Sequence, residues 1–216
     1  MAKGIRRNMN VAMDLIKKNK WKPIVKNGQV YKPQKDQEEL LKWILEQKKD
    51  GTRPFPSDRL VTNGNLIDEY TRNVLVDLCA AAVDNNWCGR SEMCLYYSCL
   101  IRYVLRLLGH KAQVHIGEAI YMSMHEAGMT FSWEHSWVTC DNILIDGNVD
   151  TMIENPFVPV GIDPAPYWGD IFKTPNDRIF RSVRLLTVDQ ELEELDDTYI
   201  DWKRRVKKYL KSQGYI

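Results

Sequence analysis

The sequence predicts an α+β fold in which helices come first and an antiparallel sheet follows. Three observations carry this reading. Apolar residues recur at helical spacing in four segments before residue 110. After it, apolar and polar residues alternate with the period of half-buried strands. Between the two halves lies Ser91–Leu108, apolar on nearly every side, the pattern of a central buried helix.

The elements are predicted in chain order as follows. Arg7 to Lys20 places Val11, Ala12, Leu15 and Ile16 on one side of a helix, which Trp21-Lys22-Pro23 ends. Ile24–Lys35 reads as a turn or a short hairpin. Asp36 to Lys49 is a second helix with the stripe Leu40, Leu41, Ile44 and Leu45, stopped at Asp50-Gly51. Thr52–Asn65, with Pro54, Pro56 and Gly64, reads as a loop. Leu66 to Val83 is a third helix. Ser91 is the expected N-cap of the central helix, and Gly109 its stop.

Lys111 to Ile116, Phe131 to Cys140, Ile143 to Val149 and Ile179 to Leu186 are the expected strands. Asp141-Asn142 is a two-residue hairpin turn, because both residues tolerate positive φ. The Pro-rich stretch Asn155 to Pro175 reads as a long surface loop. Thr187-x-x-Gln190 is a capping box for a C-terminal helical segment that continues through Trp202, Val206, Tyr209 and Leu210. Three parts result: an N-terminal helical extension (1–65), a core (66–188) and a C-terminal helical segment (189–216).

Composition sets limits. The chain has 216 residues, 44% apolar and 27% charged, a globular balance. A net charge of +1 gives only weak general support for nucleic-acid binding. Local charge is less even. Basic residues gather before Lys20 and again from Lys203 to Lys211, where the simplest reading is solvated helix faces and the sharper one a basic edge for an acidic partner. No apolar run reaches membrane-spanning length, and no secretory leader follows Met1. Five cysteines without a C-x-x-C pair suit neither a disulfide framework nor a structural zinc. The expectation is a cytoplasmic protein with no cofactor, no metal and no membrane contact.

The chemistry-bearing residues are Cys94, His135 and Asp146. A thiol attacks only as thiolate, and a free one with pKa near 8.5 is mostly protonated at neutral pH. At the start of a helix, unsatisfied N–H groups and the positive dipole end favour the anion. With Asp141-Asn142 as the turn, Cys140 pairs with Ile143 and Thr139 with Leu144. His135, Trp137, Asp146 and Asn148 then share one sheet face. Asp146 is diagonal to His135, while Asn148 is the opposed alternative and Asp150 a second candidate acid. The order fits a Cys-His-Asp triad.

These residues resemble a family. Cys94-Leu95-Tyr96-Tyr97-Ser98, continuing through Leu105-Arg106-Leu107-Leu108-Gly109-His110-Lys111-Ala112, is similar to the nucleophile helix of transglutaminase-like cysteine enzymes and its turn into a strand. His135-Ser136-Trp137-Val138 resembles their His-Ala-Trp-Val strand, and Ile143-Leu144-Ile145-Asp146 their closing hydrophobic-Asp element. The similarity spans roughly Cys88 to Thr151 and is nearest to bacterial transglutaminase-like peptide-processing proteases. It implies a papain-like α+β core, with Cys94 as nucleophile, His135 as base and Asp146 as orienting acid. Glu92 stands where the family often has Gly, and no Gln lies near to serve as the upstream oxyanion donor. Asn85, Asn86 or the Trp87 indole would have to serve, with Trp137 as a substrate-binding wall.

The implied activity is amide or peptide acyl chemistry through a Cys94 thioester, by hydrolysis or by transfer to an amine. Peptide, protein or small amide/amine substrates fit it. An arylamine-N-acetyltransferase-like acyltransferase shares the triad order, with Arg90-x-x-x-Cys94 as a faint echo. From a different class, a catalytically silent papain-like module would use its basic termini to bind a protein partner or nucleic acid. Each residue also has a plainer reading. A lone apolar-flanked Cys is usually packing, as expected for Cys79, Cys99 and Cys140, whereas Cys88 competes as nucleophile. His125, in the Met-rich stretch 122–129, belongs to a crossover or a lid. Trp87, Trp133 and Trp137 are more often core than ligand walls.

Overall fold

The computed structural model describes residues 24–26, 29–31, 37–84, 89–121, 131–155 and 157–216. The expected helix 7–20, Asn85, Asn86, Trp87, Cys88 and the Met-rich stretch 122–129 lie outside the described residues. A small hairpin, β1 (Ile24–Lys26) and β2 (Gln29–Tyr31), precedes α1 (Gln37–Asp50). Then come β3 (Val61–Asn63), α2 (Glu69–Val83) and α3 (Cys94–Leu107). Strands β4 (Ala112–Tyr121), β5 (Phe131–Cys140), β6 (Ile143–Asp146), β7 (Tyr167–Asp170) and β8 (Arg178–Leu186) follow. Helices α4 (Val188–Glu194) and α5 (Asp197–Ser212) end the chain.

The main sheet has six strands in the order β3-β7-β6-β5-β4-β8. Every neighbouring pair is antiparallel except β3–β7, so the sheet is mixed rather than wholly antiparallel. The β5–β6 register is the one a two-residue turn dictates: Cys140 faces Ile143, Thr139 faces Leu144 and Val138 faces Ile145. Asp141 takes the left-handed conformation at φ 53°, which a short polar side chain tolerates. Pairing stops there. β5 runs on for seven more residues toward Phe131 without β6 beside it.

α3 is the central helix. It packs on β4 and β5 on one side and on α2 and α5 on the other. Leu100, Ile101, Val104 and Leu105 meet Val114, Val138 and Ile145 of the sheet, and α5 adds Trp202, Val206 and Leu210. Truncating one such side chain to Ala costs roughly 2–5 kcal/mol. Helix ends follow local chemistry. The Asp68 carboxylate caps α2 by accepting from Thr71 N–H. Thr187 and Gln190 form the expected capping box of α4. Asp196 then caps α5, so the C-terminal segment is two helices.

Three readings are corrected. Asn155 to Pro175 is not a surface loop. Val158, Val160 and Ile162 are buried, two of them under the sheet with Ala119 and Tyr121, and β7 lies within the stretch. β3 lies inside segment 1–65 yet joins the main sheet through β7, so that segment is more than a helical extension. Ser91 does not cap α3. It sits in the turn 89–92, Met93 is the N-cap and Cys94 is the first helical residue. No helix among the described residues is long and apolar enough to cross a membrane.

Candidate active site

Two local features present Cys94. Gly89 takes φ +66°, and Met93 N–H bonds back to Arg90 O at 3.2 Å, which folds residues 89–93 into a tight lead-in. Met93 offers no capping oxygen, so the first helical N–H groups at Cys94 keep their capacity to face an anion. One turn along, Ser98 Oγ donates to Ser136 O at 3.0 Å, tying α3 to β5 beside His135.

His135 stands where β5 has outrun β6, and Asp146 is the last residue of β6. His135 Nε2 lies 2.8 Å from Asp146 Oδ1, as the diagonal relation requires. That leaves Nδ1 uncommitted to Asp146, and His135 lines one cleft with Cys94. Arg178, at the start of β8, donates from Nη1 to Asp146 Oδ2 at 2.8 Å. Its other nitrogens are held by Ala165 O at 2.6 Å and Asp177 Oδ1 at 2.9 Å. Cys94, His135, Asp146 and Arg178 thus form one row. The last three are buried and Cys94 is half-exposed.

The electrostatics follow the row. Burial alone would raise the Cys94 thiol, but the hydrogen bond and charge of His135, helped by the backbone and hydroxyl of Ser136, leave it lowered. Burial also opposes a charged His135. The charge and hydrogen bond of Asp146 outweigh it, with Cys94 adding to them, and push His135 up to about 10. Asp146 is held below the usual carboxylate range despite its burial, by His135 and then Arg178. Thiol lowered and imidazole raised, the two shifts favour a thiolate–imidazolium pair. Cys79, Cys99 and Cys140 contrast with it, because burial pushes each of them up.

A cleft of about 300 Å³ opens onto Cys94 and His135. Leu95, Ile116 and Trp133 give it apolar wall, and Glu92, Glu134 and the Arg184–Glu194 ion pair give it charge. Trp137 is not part of this wall. It is buried behind His135, stacked on His115 at 5.5 Å and packed on Phe180. His115 bonds the hydroxyls of Ser182 and Thr139, away from the cleft. Asn148 and Asp150 do not turn to His135. Asn148 donates to Arg90 O, and Asp150 pairs with the Arg90 guanidinium. Among the described residues no cluster of His, Cys, Asp and Glu is arranged to hold a metal ion.

Arg178, which the sequence did not single out, and Trp133, which it placed more readily in the core, both belong to the site. Arg178 reaches a partner 32 residues away, and no local pattern announces such a bond. The alternation of β5 placed Trp133 on a strand, but nothing in it says where α3 stops covering the sheet. Comparisons with family models, curated proteins and solved structures gave no match to this chain.

Proposed function

We propose that the chain is a thiol enzyme of transglutaminase-like, papain-like architecture that breaks an amide or peptide bond through a Cys94 thioester. The single observation that supports this most is the row Arg178–Asp146–His135–Cys94 ending in an open cleft. A buried structural cysteine needs neither an imidazolium partner nor access to solvent.

The Cys94 thiolate attacks the substrate carbonyl carbon, and the oxyanion forms beside the free N–H groups that open α3. When the intermediate collapses, the carbon–nitrogen bond breaks and the His135 imidazolium gives its proton to the departing amine. A thioester and a neutral imidazole remain. Water, or an amine, then attacks the thioester, His135 takes its proton, and the thiolate leaves as the acid or new amide forms. Asp146 holds the ring and supports its positive charge, and Arg178 holds Asp146.

The test is the rate of iodoacetamide alkylation against pH, with mass mapping, on wild type and His135→Ala. Fast labelling of Cys94 below pH 7, lost in His135→Ala, is the expected result. An unshifted thiol near 8.5 would sink the proposal, and fast labelling of Cys88 instead would move the nucleophile there.

A further inference from the structure

Two loops adjoin the row. Residues 89–93 lead into Cys94, and residues 147–155 lead away from Asp146. One buried ion pair joins them. Arg90 Nη1 and Nη2 donate to Asp150 Oδ1 and Oδ2, each at 2.5 Å, with both side chains 1% exposed. This is the two-pronged arginine–carboxylate geometry that fixes direction as well as distance. Other bonds run between the same loops. Asn148 Nδ2 donates to Arg90 O at 2.5 Å, and Asn155 Nδ2 donates to Glu92 Oε1 at 2.6 Å. Arg90 Nη2 also donates to Pro54 O at 2.6 Å. Behind them Arg53 bridges Asp84 and Glu154, which lies in the second loop.

The spacing is symmetrical: Arg90 stands four residues before Cys94, and Asp150 four after Asp146. Neither residue borders the cleft. A buried ion pair returns little net stability against well-packed apolar groups, and its best-attested use is to set register. We infer that Arg90 and Asp150 are positioning residues. Their pair fixes the loop that presents Cys94 against the loop that leaves Asp146, and so holds the thiol within hydrogen-bond reach of His135. This inference rests on the thiol-enzyme reading. Misplacement by about 1 Å at a reacting centre can cost on the order of a hundredfold in rate.

The test compares Asp150→Asn and Arg90→Lys with Glu191→Gln. Glu191 of α4 holds Arg102 of α3 in another buried pair, and neither residue borders the cleft. His135 and Ser136, which lower the Cys94 thiol, are not substituted; nor are Asp146, Arg178, the charged cleft residues Glu92, Glu134, Arg184 and Glu194, or Arg53 and Glu154 beside Asp150. Cys94 alkylation by iodoacetamide is followed against pH with mass mapping, and Tm is measured on the same samples. Asp150→Asn and Arg90→Lys are expected to raise the alkylation midpoint by about one pH unit, roughly tenfold in rate near pH 6. Glu191→Gln is expected to lower Tm comparably and leave the midpoint in place. An unmoved midpoint in both loop variants, or an equal move in Glu191→Gln, overturns the inference. So does loss of cooperative unfolding in both loop variants, because the pair is then a folding requirement. A wild-type midpoint near 8.5 overturns the thiol-enzyme reading itself, and with it this inference. A low wild-type midpoint that Asp150→Asn and Arg90→Lys leave in place overturns the positioning role alone.

Discussion

Arg178 and Asp146 meet at 2.8 Å with both side chains at most 1% exposed, and the second carboxylate oxygen of Asp146 is taken by His135 at 2.8 Å. The carboxylate is thereby divided between a fixed cation and a titratable one. Removing the fixed one leaves a buried charge without its partner, which costs roughly 3–5 kcal/mol. Arg178→Met is therefore expected to lower stability by that order. In the folded fraction it also slows Cys94 alkylation near pH 6. Chemical denaturation and alkylation on one sample separate the two effects. Full stability with an unmoved thiol would show that Arg178 does neither job.

The pH dependence of stability has a definite sign at His135. Its folded pKa is raised to about 10 from an unfolded value near 6.5. Its contribution is complete below about pH 6.5 and fades as pH rises toward 10. Asp146, lowered in the fold, contributes above about pH 4 and loses that contribution on acidification. The Tm gap between wild type and His135→Gln should therefore be wide at pH 6 and narrow at pH 10. A gap that widens with pH contradicts the imidazolium state.

Gly147 follows Asp146 and lies against Tyr97 of α3. A Cβ there would stand 2.1 Å from Tyr97 Oη and 2.8 Å from the ring carbon that bears it. Tyr97 is buried in the core and has no room to retreat. Gly147→Ala is expected to cost about 1–3 kcal/mol through overpacking. Adding Tyr97→Phe, which removes the nearest atom, should recover part of it. Urea melts of the single and double variants decide the matter.

Ser98 ties α3 to β5 through Ser136 O. Ser98→Ala removes two buried hydrogen bonds, the one it donates to Ser136 O and the one it accepts from Ser136 Oγ, a loss of about 1–3 kcal/mol. Its larger expected effect is on the thiol, because Ser136 helps to lower Cys94. Tm should fall by a few degrees while alkylation slows severalfold at pH 6. Unchanged alkylation would mean that Cys94 is placed without this tie.

Much of the site's frame follows from short-range chemistry. Asp141-Asn142 sets the hairpin register, and the register alone puts Asp146 diagonal to His135. The apolar run after Cys94 marks the central helix, although its start falls three residues past the Ser91 cap. Proline at 54 and 56 and glycine at 64 and 169 concealed β3 and β7. Each is too short to show alternation, and the pair exists only because the chain brings them together. Gly169 is needed there, since a Cβ would lie 2.1 Å from Asn63 Oδ1. Arg178, Arg90 and Asp150 were invisible as partners for a related reason. A buried ion pair is a fact of tertiary structure, and one charge beside an apolar run looks like any surface charge.

Arg178 opens the last strand of the sheet, far down the chain from Cys94. A nascent or partly unfolded chain therefore carries an ordinary thiol at position 94, with no carboxylate–imidazole row to ionise it. Asp146 gains its fixed cation only when β8 docks against β4. On the thiol-enzyme reading, a lesion that frays β8 takes Arg178 from Asp146 and so weakens the support of His135 while α3 is still packed on β4 and β5.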